Sequence, residues 1–213
     1  MKKLDFANEV YHRLEQLYPD AHCELNHENA FQLLIATILS AQCTDVRVNM
    51  VTPTLFKKYP TPQHLAKARQ EDVEKIIHST GFYKNKAKNI IACCQELVTS
   101  FNSEIPKTIE ELSSLAGVGR KTANVVISNC FGINHGVVVD THVKRISTLL
   151  KLTKQETPEK IEIDLMKLFP NEKWGMLSHL LIFHGRRTCI ARRPQCDLCA
   201  LLDICPTGKK NTG

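Results

Sequence analysis

Four cysteines crowd the end of this 213-residue chain at the spacing Cys189-x6-Cys196-x2-Cys199-x5-Cys205. Four thiolates on a short, proline-containing loop can wrap one metal centre. A tetrahedral zinc ion and an iron–sulfur cluster both accept four cysteines, and spacing alone leaves the two near parity. Disulfides are disfavoured where no export signal precedes the chain, so ligation is the expectation for this group. The other five, Cys23, Cys43, Cys93, Cys94 and Cys130, are scattered through apolar, helix-like segments and read mostly as small core hydrophobes.

A second constellation lies upstream. Leu115-Ala116-Gly117-Val118-Gly119-Arg120-Lys121-Thr122-Ala123 joins one apolar pattern (Ile109, Leu112, Leu115) to another. Two glycines one residue apart let the backbone turn sharply and bring its N–H groups close to a ligand. The helix that follows opens with N–H donors and a partial positive charge, a natural seat for a phosphate, and Arg120 and Lys121 add full charges there. A lone Gly-x-Gly more often marks a tight connection that binds nothing. The flanking helices and the Arg-Lys pair favour the phosphate seat. Further on, Val137-Val138-Val139-Asp140-Thr141-His142 sets one carboxylate between an apolar run and a new helix. Asp140 is expected to cap that helix, as most aspartates at such positions do. Most lysines on a first helical turn, like Lys121, are simply solvated.

The elements that must position these groups are helices. Phe31 to Leu39, Ala87 to Phe101, Ala123 to Phe131 and Ile161 to Phe169 each carry apolar residues at three- and four-residue spacing. Breakers fall between them at Pro53, Pro60-Thr61-Pro62, Gly81, Pro106, Gly117 to Gly119, Gly132, Pro158 and Pro170. Thr61-Pro62 and Thr157-Pro158 read as helix starts, with Thr as N-cap and Pro at the first helical position. Val137 to Val139 is too short to assert a strand. The pattern predicts an all-α protein of about ten helices, with no internal repeat or long linker.

Composition excludes some classes. Apolar residues make up 43 % of the chain, ordinary for a globular protein. The longest apolar run, Phe31 to Leu39, is far shorter than the ~20 residues a bilayer needs. Asp5, Asn8 and Glu9 follow Lys2 and Lys3 where a signal peptide needs an apolar stretch, so a cytosolic protein is expected. The net charge of +6 is a weak hint of a polyanionic partner. The tail is a better one, with Arg186, Arg187, Arg192, Arg193, Lys209 and Lys210 against Asp197 and Asp203.

Taken together, Leu-Ala-Gly-Val-Gly-Arg-Lys-Thr-Ala, then Val-Asp-Thr-His, then the four cysteines resembles the bacterial endonuclease III family of DNA glycosylases. The first segment is similar to its helix–hairpin–helix motif, which holds DNA backbone without reading sequence. Ser40-Ala41-Gln42-Cys43-Thr44-Asp45 and Gly81-Phe82-Tyr83 match two further family segments, so the resemblance spans nearly the whole chain. It implies two helical lobes: a bundle over 22–132 carrying the hairpin, and 1–21 plus 133–213 carrying a [4Fe-4S] cluster loop at 189–205. The implied cleft between them holds Lys121 as nucleophile and Asp140 as its assistant, and Cys189, Cys196, Cys199 and Cys205 are the implied cluster ligands. Gly117, Gly119, Arg120, Arg192 and Arg193 are expected to meet DNA phosphates. Gln42 is the implied side chain pushed into the base stack and Phe82 a wedge beside the opposite strand, with ordinary core packing the rival reading for Phe82. Tyr83 and His142 are nearby candidates of lesser weight. The segment Ile133-Asn134-His135-Gly136-Val137 is one residue longer than the family pattern, which bears on the reach between Lys121 and Asp140.

The implied activity is base excision repair on double-stranded DNA containing oxidised pyrimidines or abasic sites, by a monomer associated with the bacterial nucleoid. A lysine amine can displace the base at C1′ and stay attached as a Schiff base, after which the 3′ phosphate leaves by β-elimination. A water nucleophile could only remove the base, so Lys121 argues against a relative that excises without nicking. The rival from another class is a redox-sensing DNA binder in which Lys121 merely touches phosphate; strand cleavage through a trappable intermediate separates the two.

Overall fold

The computed structural model describes residues 2–208, and among them it contains eleven α-helices, three short 3-10 turns and no strand. Lys209 and Lys210 of the basic tail lie outside the described residues. The chain divides into two compact units, one made of Met1–His22 with Asn134–Gly213 and the other of Cys23–Ile133. No helix among the described residues is long and apolar enough to cross a membrane.

The Cys23–Ile133 unit is built around α2 (Ala30–Leu39). Leu33, Leu34, Ile35, Ala36 and Leu39 are all fully buried, so this helix is apolar on nearly every side. A helix of that kind must be surrounded. It is packed by α3 (Asp45–Lys58), α6 (Tyr83–Ser100) and α8 (Arg120–Phe131), while α4 (Pro62–Ala66) and α5 (Gln70–Ile77) lie against α6, and α7 (Ile109–Ser114) pairs with α8. Asn29 caps α2 by accepting the Gln32 N–H at 3.0 Å, and the Gln32 side chain accepts the Glu28 N–H in return. Such reciprocal capping fixes where the helix begins.

The other unit packs α11 (Trp174–Arg187) against α9 (Thr141–Leu149) and α1 (Lys3–Leu17), with α10 (Pro158–Leu168) beside α1. Leu177, Leu180, Leu181 and Phe183 form the buried face of α11. Asn134 and Asn171 exchange side-chain to backbone hydrogen bonds at 3.1 and 2.9 Å, which anchors the start of the longer segment before Asp140. Val137 and Val139 are buried in an extended stretch that has no strand to pair with. The N–H of Val138 is satisfied by the Ser178 hydroxyl instead.

Helix positions follow the apolar stripes, with one correction. Pro53 does not break the chain but lies inside α3. The buried stripe Val48, Val51, Thr52 and Leu55 runs across it, and packing on both sides outweighs the missing N–H. Thr61 and Thr157 stand at the N-caps of α4 and α10 ahead of Pro62 and Pro158, yet neither hydroxyl bonds to the helix backbone. Pro53 is exposed, so Pro53→Ala restores a donor without touching the core. It should stabilise the fold by about 1–3 kcal/mol, read as a higher midpoint in thermal denaturation.

Candidate functional site

The hairpin is set by a turn closed by the Val118 N–H on the Leu115 carbonyl at 3.1 Å. Gly117 takes its third position with φ 77, a left-handed conformation that favours glycine. Space also demands glycine here, because a Cβ at 117 would stand 2.9 Å from the Cβ of Asn89 on α6. Leu115 and Val118 are buried and plug the turn into the core. Gly119 differs. Its φ of −89 suits any residue, and nothing lies within 4 Å of where a Cβ would be. It is the N-cap of α8 and offers no side chain to cap the helix. Arg120 and Lys121 follow on the exposed first turn. The two glycines, alike in the sequence, therefore differ in the structure: Gly117 makes the turn, and Gly119 is an N-cap without a side chain.

Asp140 is the N-cap of α9, and its Oδ1 accepts the Val143 N–H at 2.7 Å, as the sequence leads one to expect. It is half-buried and belongs to the unit that does not contain Lys121. His142, on the first turn of the same helix, is held below the ordinary histidine range chiefly by burial, with Arg186 and Arg145 acting the same way against Asp140.

Gln42 and Phe82 share an unusual backbone. The Cys43 N–H bonds to the Ser40 carbonyl at 3.0 Å and closes a turn past the end of α2. Gln42, in its third position, has φ 53 and is exposed. Phe82 follows left-handed Gly81, has φ 47 itself and serves as N-cap of α6. It is 63 % exposed, which removes the core-packing reading. Tyr83 is half-buried, with its ring 4.4 Å from that of His78.

Cys189, Cys196, Cys199 and Cys205 line one cavity, open in part to solvent. Its remaining wall is mainly apolar, from Ile146, Leu149, Leu150, Leu201 and Leu202. The Leu201 N–H donates to Cys199 Sγ at 3.4 Å and the Gly208 N–H to Cys205 Sγ at 3.2 Å. A Cβ on Gly208 would meet Cys205 and Leu202 at 3.3 Å, so glycine keeps that cradle open. Burial pushes the Cys189 thiol up to about 11 and raises Cys199 as well. Among the described residues, no three His, Cys, Asp or Glu side chains form a set for a single metal ion. Arg192 and Arg193 project from the loop between Cys189 and Cys196 and are exposed. Cys93 and Cys94, in contrast, are fully buried in the core, as their sequence setting suggests.

Three residues with a role here are not evident from motifs. Lys86 is only 5 % exposed, and its ammonium donates to the Leu39 and Thr80 carbonyls at 2.8 Å each. His184 is buried on α11, with Nδ1 3.2 Å from the Tyr18 hydroxyl and Nε2 3.9 Å from Cys199 Sγ; burial drops its pKa to about 4. Arg145 donates to the Gly185 and Cys189 carbonyls, tying α9 to the end of α11 and the first cysteine. Lys86 and His184 each sit on an apolar stripe, at Lys86-Ile90-Leu97 and Leu177-Leu181-His184. A polar residue on such a face is the signal that could have found both.

Residues 35–171 match the family model of the HhH-GPD superfamily base excision DNA repair proteins. The Endonuclease III of Synechocystis sp. is 52 % identical over 95 % of this chain and 93 % of its own. Two solved structures match with a TM-score of 0.92 and 45 % identity, each covering 100 % of this chain. They are a non-covalent Endonuclease III–DNA complex, covered over 99 % of its length, and a trapped Endonuclease III–DNA covalent intermediate, covered over 100 %.

The two glycines can be separated by experiment. Gly117→Ala should lower stability by about 2 kcal/mol or more, since it meets both a left-handed φ and Asn89. Gly119→Ala should cost less than about 1 kcal/mol yet weaken binding to duplex DNA severalfold by covering the helix end. Denaturation curves and DNA titrations at one fixed salt concentration check the pair.

Proposed function

The chain belongs to the endonuclease III family of HhH-GPD superfamily base excision DNA repair proteins, and on that premise we propose which of its residues carry the reaction and on what substrate. The enzyme is a DNA glycosylase with abasic-site lyase activity. Its substrate is double-stranded DNA bearing oxidised pyrimidines or abasic sites, and it acts as a monomer in the bacterial cytoplasm, on the nucleoid. The observation that carries the residue assignment is Lys121 itself, an exposed primary amine on the first turn of α8, two residues after the Gly119 N-cap.

The hairpin amides, Arg120, Arg192 and Arg193 take phosphates of the backbone, which sets register without reading sequence. A base inside the stack is out of reach, so the damaged nucleotide is extruded. Gln42 fills the gap and Phe82 wedges beside the opposite strand; their exposure and left-handed backbones support this. The Lys121 amine then attacks C1′, the glycosidic bond breaks toward the base, and the opened sugar stays on the lysine as an iminium. That cation acidifies the C2′ proton. Its loss drives the 3′ phosphate out, and water releases the enzyme. Lys121 is exposed, so it falls to the bound DNA to exclude water from it. Asp140 accepts the amine's proton or stabilises charge on the sugar. The trapped covalent intermediate solved for a relative supports a covalent path.

Cys189, Cys196, Cys199 and Cys205 hold a [4Fe-4S] cluster. A shared cavity, apolar walls and two N–H···S hydrogen bonds suit thiolate ligands of such a cluster. The reaction moves no electrons, so the cluster is structural: it shapes the loop that carries Arg192 and Arg193.

Two tests follow. Borohydride with a duplex holding one thymine glycol should give a covalent protein–DNA adduct that vanishes in Lys121→Ala. Asp140→Asn keeps an N-cap acceptor for α9, and should still lower turnover by about a hundredfold or more through lost charge. No adduct and no nicking by the wild type, on that duplex or an abasic one, would sink the assignment in favour of a redox-sensing DNA binder. For the metal, the purified protein should contain iron and acid-labile sulfide in equal amounts, about four of each per chain. Zinc in their place would overturn the cluster.

A further inference from the structure

We propose that Lys86 is a positioning residue that locks the turns bearing Gln42 and Phe82 into one arrangement, so that the two side chains enter the DNA stack as a coupled unit. This rests on the reading of Gln42 and Phe82 as inserting side chains.

The two turns are far apart in sequence, and Lys86 bonds to both. Leu39 ends α2, three residues before Gln42, and Thr80 ends the 3-10 turn His78–Thr80, two residues before Phe82. The ammonium donates to both carbonyls at 2.8 Å. The main chain of Lys86 holds the second turn again, since its N–H donates to the Phe82 carbonyl at 3.0 Å. Further bonds run from the Thr80 hydroxyl to the Ile77 carbonyl and from the Cys43 N–H to the Ser40 carbonyl.

A lysine is a poor choice for filling that space. Burial of its stem disfavours the charged form, and its pKa is lowered by that desolvation. A methionine would pack there without a charge to solvate. What its three donors on a long stem achieve is to bind two carbonyls on different elements at once. The conformations downstream need such a constraint. Gln42 at φ 53 and Phe82 at φ 47 occupy a region that non-glycine residues hold only when their surroundings over-determine them.

Entry into a duplex stack matters only where a stack exists, which gives a readout that a purely structural role does not move. Excision of thymine glycol from duplex DNA is compared with β-elimination at an abasic site in a single strand, for wild type, Lys86→Met and Lys86→Gln, at a temperature where each is folded. The duplex rate should fall tenfold or more while the single-strand rate stays within about twofold. General loosening lowers both together, and an unchanged ratio in a folded variant overturns the proposal. A double-mutant cycle of Gln42→Ala and Phe82→Ala, both on exposed residues, tests coupling without relying on Lys86 variants. The expected double variant excises from duplex no more slowly than about the worse single variant, whereas losses that multiply overturn the coupling. If neither single variant slows duplex excision, it is the insertion reading that fails, and this proposal with it.

Discussion

Gly117 packs so closely on Asn89 that α7 and α8 can meet only if residue 117 has neither a side chain nor an ordinary φ. That contact sets where α8 begins and which way its N-terminus faces. Ala123, Val126 and Ile127 then seat the helix in the core around α2. Arg120 and Lys121 inherit their direction from this arrangement, because residues on a first helical turn have little freedom to point elsewhere. On the proposed reading, the chemistry of the Lys121 amine thus depends on a missing Cβ four residues away, on the scale of a few kcal/mol.

Helix ends are the recurrent chemical device. Each leaves backbone groups without intrahelical partners, and each must be met by something. The protein meets three of them differently. At α9 the Asp140 carboxylate takes an N–H, which is worth about 1 kcal/mol and also holds a negative charge at a fixed height. At the end of α2, the Lys86 ammonium takes the Leu39 carbonyl, and it serves the Thr80 carbonyl as well. At α8 the N-cap is Gly119, with no side chain to spend on its own helix. A threonine or aspartate there would stabilise the fold and occupy the space proposed for a phosphate. Of these three ends, the one nearest the proposed nucleophile is the one without a side-chain partner.

Much of this was legible in the sequence because it is local. The hairpin glycines, the Arg-Lys pair, the Asp140 cap and the four cysteines are motifs of short span, and the apolar stripes place α2, α6, α8 and α10. Pro53 misled because a breaker is a local signal, whereas the burial of Val48, Val51 and Leu55 that overrides it is tertiary. Phe82 could not be decided from sequence, since a bulky residue after glycine fits a core or a surface equally well. Only its backbone and exposure separate the two. Lys86, His184 and Arg145 were missed for a common reason. Each acts on carbonyls or a sulfur contributed by distant elements, and no spacing along one helix encodes those partners.

The cysteine segment is where the proposed cluster would add most to the fold. Between Thr188 and Gly208 only Leu201 contributes a fully buried apolar side chain, while Leu198 is 80 % exposed. One leucine supplies about 2 kcal/mol of burial, against about 1 kcal/mol or more of backbone entropy for every residue held in place. Hydrogen bonds tie down single points: Arg13 on the Ala200 carbonyl, Thr207 on the Leu149 carbonyl and Arg145 on the Cys189 carbonyl. One backbone bond, from the Gln195 N–H to the Thr188 carbonyl at 3.0 Å, joins the two ends of the stretch from Ile190 to Pro194, within which Arg192 and Arg193 stand exposed. On the proposed reading, cross-linking four thiolates through one cluster would constrain that stretch from both sides, as a disulfide would a single loop but at four points. A phosphate contact made by a loose arginine loses much of its strength to the entropy of ordering the loop. On the proposed reading, then, a centre that takes no part in bond breaking still bears on DNA affinity.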